Sequence, residues 1–95
     1  MAATVCNLAW AELYTGAKSA SSDFTRCLSS WTDPTDWKHH WARLGLALCD
    51  VREGASSEAA EIVIADLIEL LGEDHDRVGK AREKIAKVLA VSEAP

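Results

Sequence analysis

The sequence predicts an all-helical single domain, on three observations. Apolar residues recur at spacings of three and four along most of the chain, no stretch alternates with a period of two, and Gly, Asp-Pro and Ser-rich breaks fall between the periodic segments. A chain of 95 residues can build one core and not two. Its 48% hydrophobic and 26% charged residues suit a folded domain, since a disordered chain lacks apolar side chains to offset its ordering entropy. The expected architecture is a small compact bundle of about five helices over residues 1–95, ending in an antiparallel helical hairpin.

Helix one is expected over residues 3–18. Val5, Ala9, Leu13 and Ala17 step by four, Cys6, Trp10 and Tyr14 widen the stripe, and Gly16 weakens its end. Residues 19–22 form a polar linker, and Ser22 or Asp23 is the expected cap of helix two, residues 22–31. There Phe24, Cys27, Leu28 and Trp31 fall at i, i+3, i+4 and i+7.

Helix three is expected over residues 34–53. Asp33 is its predicted cap, Pro34 takes the first helical position, where a missing N–H costs nothing, and Asp36 favours the positive end of the dipole. Trp37, Trp41, Leu44, Leu48 and Val51 make its inward stripe, and Gly54 suits the left-handed residue that closes it. Helix four, residues 57–71, takes Ser56 or Ser57 as cap and stops at Gly72. Helix five, residues 75–91, takes Asp74 as cap, carries Val78, Ala81, Ile85, Val88 and Leu89 inward, and is expected to fray from Ser92 onward. The link of about three residues between helices four and five is what predicts the hairpin.

The net charge of −5 disfavours a nonspecific nucleic-acid or anionic-membrane binder, because phosphate attraction needs surplus positive charge. The charge is also split. Residues 58–76 hold seven acidic side chains and no basic one, whereas residues 77–87 hold five basic and one acidic. At about 100° per residue, Glu58, Glu61, Asp66, Glu69 and Glu73 line up opposite Val63, Ile64, Leu67, Ile68 and Leu71. Arg77, Lys80, Lys84 and Lys87 share one flank of helix five as a secondary basic surface. Such runs are ordinarily solvated faces, with some charges paired across the hairpin. The sharper expectation is an acidic surface that docks on a protein with a basic one, because Ile62 projects into the acidic stripe where a monomer core has no use for it. Trp10 and Leu46 also lie off their helices' central stripes and are candidate contact residues, while Trp31, Trp37 and Trp41 are assigned to the core. Leu46, Ile62 and the wide apolar face of helix four equally allow a homodimer.

No metal or cofactor is expected. Close zinc-ligand pairs such as C-x₂-C or H-x₃-H are missing, adjacent His39 and His40 diverge by about 100°, and Asp36 with His40 is an i, i+4 coincidence. His40 is assigned to the core boundary, His39 to solvent, and Cys6, Cys27 and Cys49 to the core as small apolar groups. The odd, widely spaced cysteines predict a reducing compartment. With no charged n-region and no apolar run of about 20 residues, the expectation is a cytoplasmic protein without a membrane partner. No phosphate loop, nucleophile elbow or zinc-protease motif occurs, and nothing brings Cys49 and His40 together, so no enzyme is expected.

A helix-turn-helix DNA reader would place Asp36 where its recognition helix should meet phosphate, which leaves DNA association through the basic last helix as the third choice. In size, acidity and helical content, though in no matched motif, the chain is similar to the small inhibitors that phages and mobile elements direct at host or defence machinery, anti-CRISPR proteins among them. That resemblance in kind implies a non-enzymatic regulator that occludes its target.

Overall fold

Five helices form where the periodic segments lie. The structure, a computed structural model, describes residues 2–16 and 18–93, and among them are α1 (Ala2–Thr15), α2 (Ala20–Ser30), α3 (Trp37–Arg52), α4 (Glu58–Leu71) and α5 (Asp76–Glu93), with no strand. Ala17, assigned to the first stripe, and Ala94 and Pro95, assigned to a frayed end, lie outside the described residues. Helix α5 itself runs through Ser92 to Glu93.

The capping side chains of α2, α3 and α5 differ from expectation, and at α4 Ser57 holds the cap position without a side-chain bond while the Glu58 N–H reaches the Ser56 hydroxyl at 3.5 Å. Asp33 does not cap α3. Its Oδ1 accepts from the Thr35 N–H at 2.9 Å and the Thr35 hydroxyl at 2.7 Å, while its carbonyl accepts from the Asp36 N–H at 3.0 Å. Pro34 thus sits at the second position of a turn, which its fixed φ favours as well as a helix start does. The Thr35 bonds, the backbone one first, hold the Asp33 carboxyl below the usual range. Asp36 then caps α3, its Oδ1 accepting from the Lys38 N–H at 3.0 Å. At α5, His75 replaces Asp74: the Arg77 N–H donates to His75 Nδ1 at 3.1 Å. Helix α2 begins two residues early, at Ala20. Ser19 occupies its cap position but turns its hydroxyl to the Glu12 carboxylate of α1.

The stops fall at Gly54 and Gly72, with φ of 107° and 97°, values that side chains bearing a Cβ rarely adopt. Helix α3 is the hub and packs on each of the other four. It therefore buries more than its predicted stripe: Ala42, Gly45, Ala47 and Cys49 are inside along with Trp41, Leu44, Leu48 and Val51. Helices α4 and α5 pack on each other across residues 72–75, as the short link predicted. The radius of gyration, 12.4 Å, is that of a well-packed chain of this length.

Cys6 and Cys27 are buried as expected but are not free thiols. A disulfide joins them, Cα to Cα 5.5 Å, and ties α1 to α2 inside a small cluster with Ala42, Leu28 and Trp31. A separation of 21 residues carried no motif, and only the antiparallel course of α1 and α2 brings the two together. Cys49 stays free and buried.

Asp23, expected as a possible cap, is instead buried in the first turn of α2 and faces Glu12. The neighbouring Asp23 carboxyl raises the Glu12 pKa, and the Ser19 hydroxyl opposes the rise. Glu12 Oε1 is buried without a hydrogen-bond partner, since a second carboxylate has no proton to offer. A raised folded-state pKa means that the folded chain holds this proton more tightly than the unfolded chain. The resulting stabilisation is fully present below the ordinary glutamate range and is lost as pH rises through the raised folded value. Glu12→Gln supplies the missing donor permanently. It is expected to raise Tm at neutral pH and to flatten the fall in Tm above the glutamate range; identical Tm-against-pH curves for the two proteins would remove this account of the pair.

Candidate partner-binding surface

Two helical stripes meet along one seam. Arg43, Leu46, Ala47 and Asp50 follow i, i+3, i+4, i+7 on α3, and Ala59, Ile62, Val63 and Asp66 follow the same spacing on α4. The seam opens as a shallow depression of about 370 Å³ lined by Leu46, Ile62, Ala47, Ala59 and Val63, with Arg43 and Asp50 at its edge. Leu46 and Ile62, proposed separately from their helices, thus share one site. Leu46 is half-buried against the core, whereas Ile62 is 53% exposed.

Around this apolar centre the acidic stripe divides. Glu58, Glu61, Glu69 and, just past the helix, Glu73 are exposed, and none makes an ion pair among the described residues. Asp66 is different. Its Oδ2 accepts from Arg43 at 2.7 Å, so its charge is already met within the fold. The same Arg43 nitrogen donates to His40 Nδ1 at 2.9 Å, while His40 Nε2 lies 2.7 Å from the Pro34 carbonyl. Arginine only donates and a carbonyl only accepts, so the imidazole carries its proton on Nε2 and is neutral in this arrangement. His40 is buried at 6% exposure, deeper than the boundary position expected of it. His39, expected in solvent, is half-buried with Nδ1 2.9 Å from the Trp31 carbonyl.

Trp10 is not a surface anchor. It is 8% exposed, edge-on to Phe24 at 4.9 Å and 6.1 Å from Trp41, because α1 is covered on more sides than its narrow central stripe implied. Part of that cover is the basic flank of α5. The Arg77 guanidinium lies 3.9 Å from the centroid of Trp37, Lys84 Nζ 4.2 Å from that of Trp10, and Lys87 Nζ 4.1 Å from that of Tyr14. Lys80 is exposed beside them. The expected pairing of charges across the hairpin is not found among the described residues. The ion pairs among the described residues are Arg26–Asp23, Lys38–Asp36 and Arg43–Asp66, none of which joins α4 to α5.

The remaining candidates stay apart. Asp36 caps α3 and His40 is bound by Pro34 and Arg43, so neither is disposed as a ligand of the other's metal. Among the described residues no three His, Cys, Asp or Glu side chains gather as a metal site would require. Cys49 lies by Leu13, Ala20 and Arg52, away from the His40 pocket formed with Pro34 and Leu70. Burial pushes its thiol up to about 11, the wrong direction for a nucleophile. No described helix is long and apolar enough to cross a membrane.

Sequence reasoning missed Arg43 and Ala59, although their helical spacing to Leu46 and Ile62 was available. It also passed over Leu8 and Val91, exposed at 53% and 37% on α1 and α5. Comparison of the chain with protein-family models, curated proteins and solved structures finds no match.

Proposed function

We propose that this chain is a non-enzymatic binding protein that occludes a basic surface of a partner protein with the α3–α4 face. The observation that supports the reading is the seam itself. Ile62 stands exposed over Leu46 in the depression, and its helix carries Glu58, Glu61 and Glu69, exposed carboxylates whose charges the fold leaves unmatched among the described residues. An apolar centre with a charged rim is how many protein interfaces are built, the centre supplying affinity and the rim supplying orientation and on-rate. The partner's chemistry follows: a row of Lys or Arg flanking an apolar recess, of the kind that otherwise receives nucleic-acid phosphates. A small inhibitor of phage or mobile-element origin would act in this way.

A homodimer through the same apolar patch is the second reading. A two-fold axis there would set the carboxylates of one copy close to the identical carboxylates of the other, so the charge favours a different partner. DNA association through α5 draws on lysines and an arginine largely laid over aromatic rings, and it gains nothing from the acidic face.

Cytoplasmic location belongs to the same proposal and rests on the odd cysteine count. The Cys6–Cys27 bond pulls the other way, because reducing cells keep such pairs as thiols. Rapid alkylation of the protein in the producing cell, followed by mass analysis, decides between them.

The test of the interface is affinity capture with the wild-type chain and with Ile62→Arg, Glu58→Lys, Glu61→Lys combined. Asp66 is left alone because reversing it would also break the Arg43 bond. Loss of an anchor and its rim is expected to weaken binding by about 30-fold or more, equivalent to ~2 kcal/mol. Capture undiminished in the triple variant, with Tm and far-UV spectrum unchanged, would place the interface elsewhere. A strict monomer by sedimentation at high concentration would remove the homodimer.

A further inference from the structure

The basic flank of α5 has a second property, separate from the partner-binding face. Lys80, Lys84 and Lys87 fall at i, i+4 and i+7, so their stems rise from one side of the helix. With Tyr14 of α1 and Glu83 they line an open depression of about 330 Å³. No carboxylate lies within ion-pair distance of the three lysines among the described residues. Lys84 is half-buried; its ammonium lies 4.2 Å from the centroid of the Trp10 ring and 5.6 Å from those of Tyr14 and Trp41, and it donates to the Tyr14 hydroxyl at 3.3 Å. Three N–H bonds on that nitrogen leave donors free, and because Tyr14 Oη is accepting, its own proton is free to be given outward.

We propose that this depression is a binding site for a compact, multiply charged oxyanion, a soluble phosphate ester or pyrophosphate, held by Lys80, Lys84, Lys87 and the Tyr14 hydroxyl. The groups lining the space are three cations and a hydroxyl against the single carboxylate of Glu83, so the ligand must bring oxygen acceptors and negative charge. A volume near the lower end of small-ligand pockets suits a phosphoryl group with a small substituent. The acidic remainder of the molecule opposes an extended polyanion such as nucleic acid, while a compact ligand stays within the positive patch. Burial, followed by the like charges of Lys87, Lys80 and Arg77, lowers the Lys84 pKa. An anion seated here relieves that strain on the ammonium, which gives the site a reason to bind rather than merely to be positive.

The test is a titration of the full chain with inorganic pyrophosphate at constant ionic strength, followed by Trp fluorescence and amide NMR shifts. Trp10 lies directly beneath Lys84 and should report occupancy. The expected result is saturable change confined to Trp10, Tyr14 and residues 80–87, weakened about 10- to 100-fold in Lys84→Met. Tyr14→Phe, which keeps the ring, is expected to weaken binding by a smaller factor. Changes that are linear and matched by chloride at the same ionic strength would overturn the site, as would saturable binding that Lys84→Met and Lys80→Ala leave untouched. Vesicles bearing phosphatidic acid distinguish the source of the phosphoryl group: binding to them that pyrophosphate fails to displace overturns the soluble ligand.

Discussion

Gly45→Ala is expected to destabilise the fold by about 1–3 kcal/mol, although alanine is the better helix former by about 1 kcal/mol. Gly45 is buried on the hub helix at its crossing with α2, and a Cβ built there enters the ring of Phe24. Phe24 is fully buried and packed edge-on against Trp10, so its ring has nowhere to retreat without moving the aromatic cluster. Gly79 is the internal control. It lies in α5 with nothing within 4 Å of a Cβ, so Gly79→Ala is expected to stabilise by about 0.5–1 kcal/mol. The same substitution in two helices therefore has opposite signs. Denaturant unfolding at unchanged m value measures both, and Phe24→Leu should recover part of the loss in Gly45→Ala by opening space. A Gly45→Ala chain as stable as wild type would mean that α2 and α3 are not this close. Against a total stability of about 5–14 kcal/mol for a chain of this size, such a loss is large.

That crossing also shows what the sequence conveys and what it leaves unsaid. Element identity and order were legible, because three- and four-residue periodicity is written in each segment and Gly54 and Gly72 mark real stops. Which helix becomes the hub was not. Ala42, Gly45, Ala47 and Cys49 are small, and small residues lie equally well at a close crossing and on a surface, so their burial depends on neighbours distant in sequence. The caps failed for a related reason. Asp33, Asp36, Asp74 and His75 all have suitable acceptors, and the choice among them is set by the turn that precedes each helix.

At the candidate site the same division holds. Ile62 could be read as exposed because it breaks its own helix's pattern, and it is exposed. Trp10 breaks its pattern in the same way and is buried, because Lys84 and Phe24 come from other helices to cover it. Position on one helix reports which way a side chain points. It does not report what arrives from elsewhere, which is also why Arg43 could claim Asp66 and the lysines of α5 could settle on aromatic rings instead of on the carboxylates of α4.

Removing the Cys6–Cys27 bond is expected to lower stability by about 3 kcal/mol. The two cysteines lie 21 residues apart, and closing a loop of that size restricts the unfolded chain by about this amount in the loop-entropy account. For a domain this small each kcal/mol shifts Tm by about 4–8 °C, so reduction should lower Tm by about 10–25 °C. The bond also lies outside the main core, with Ala42 and the half-buried Leu28 and Trp31 around it. Cys6→Ala with Cys27→Ala tests the bond apart from the reductant: the double variant should lose a comparable amount and should not respond further to dithiothreitol. Cys49 supplies the count that checks the pairing. Buried, with its thiol raised to about 11, it should react slowly in the native chain, so denatured, unreduced protein should show one thiol and reduced protein all three. Three thiols before reduction in protein prepared under oxidising conditions would dissolve the bond, and the odd cysteine would then no longer be Cys49 alone.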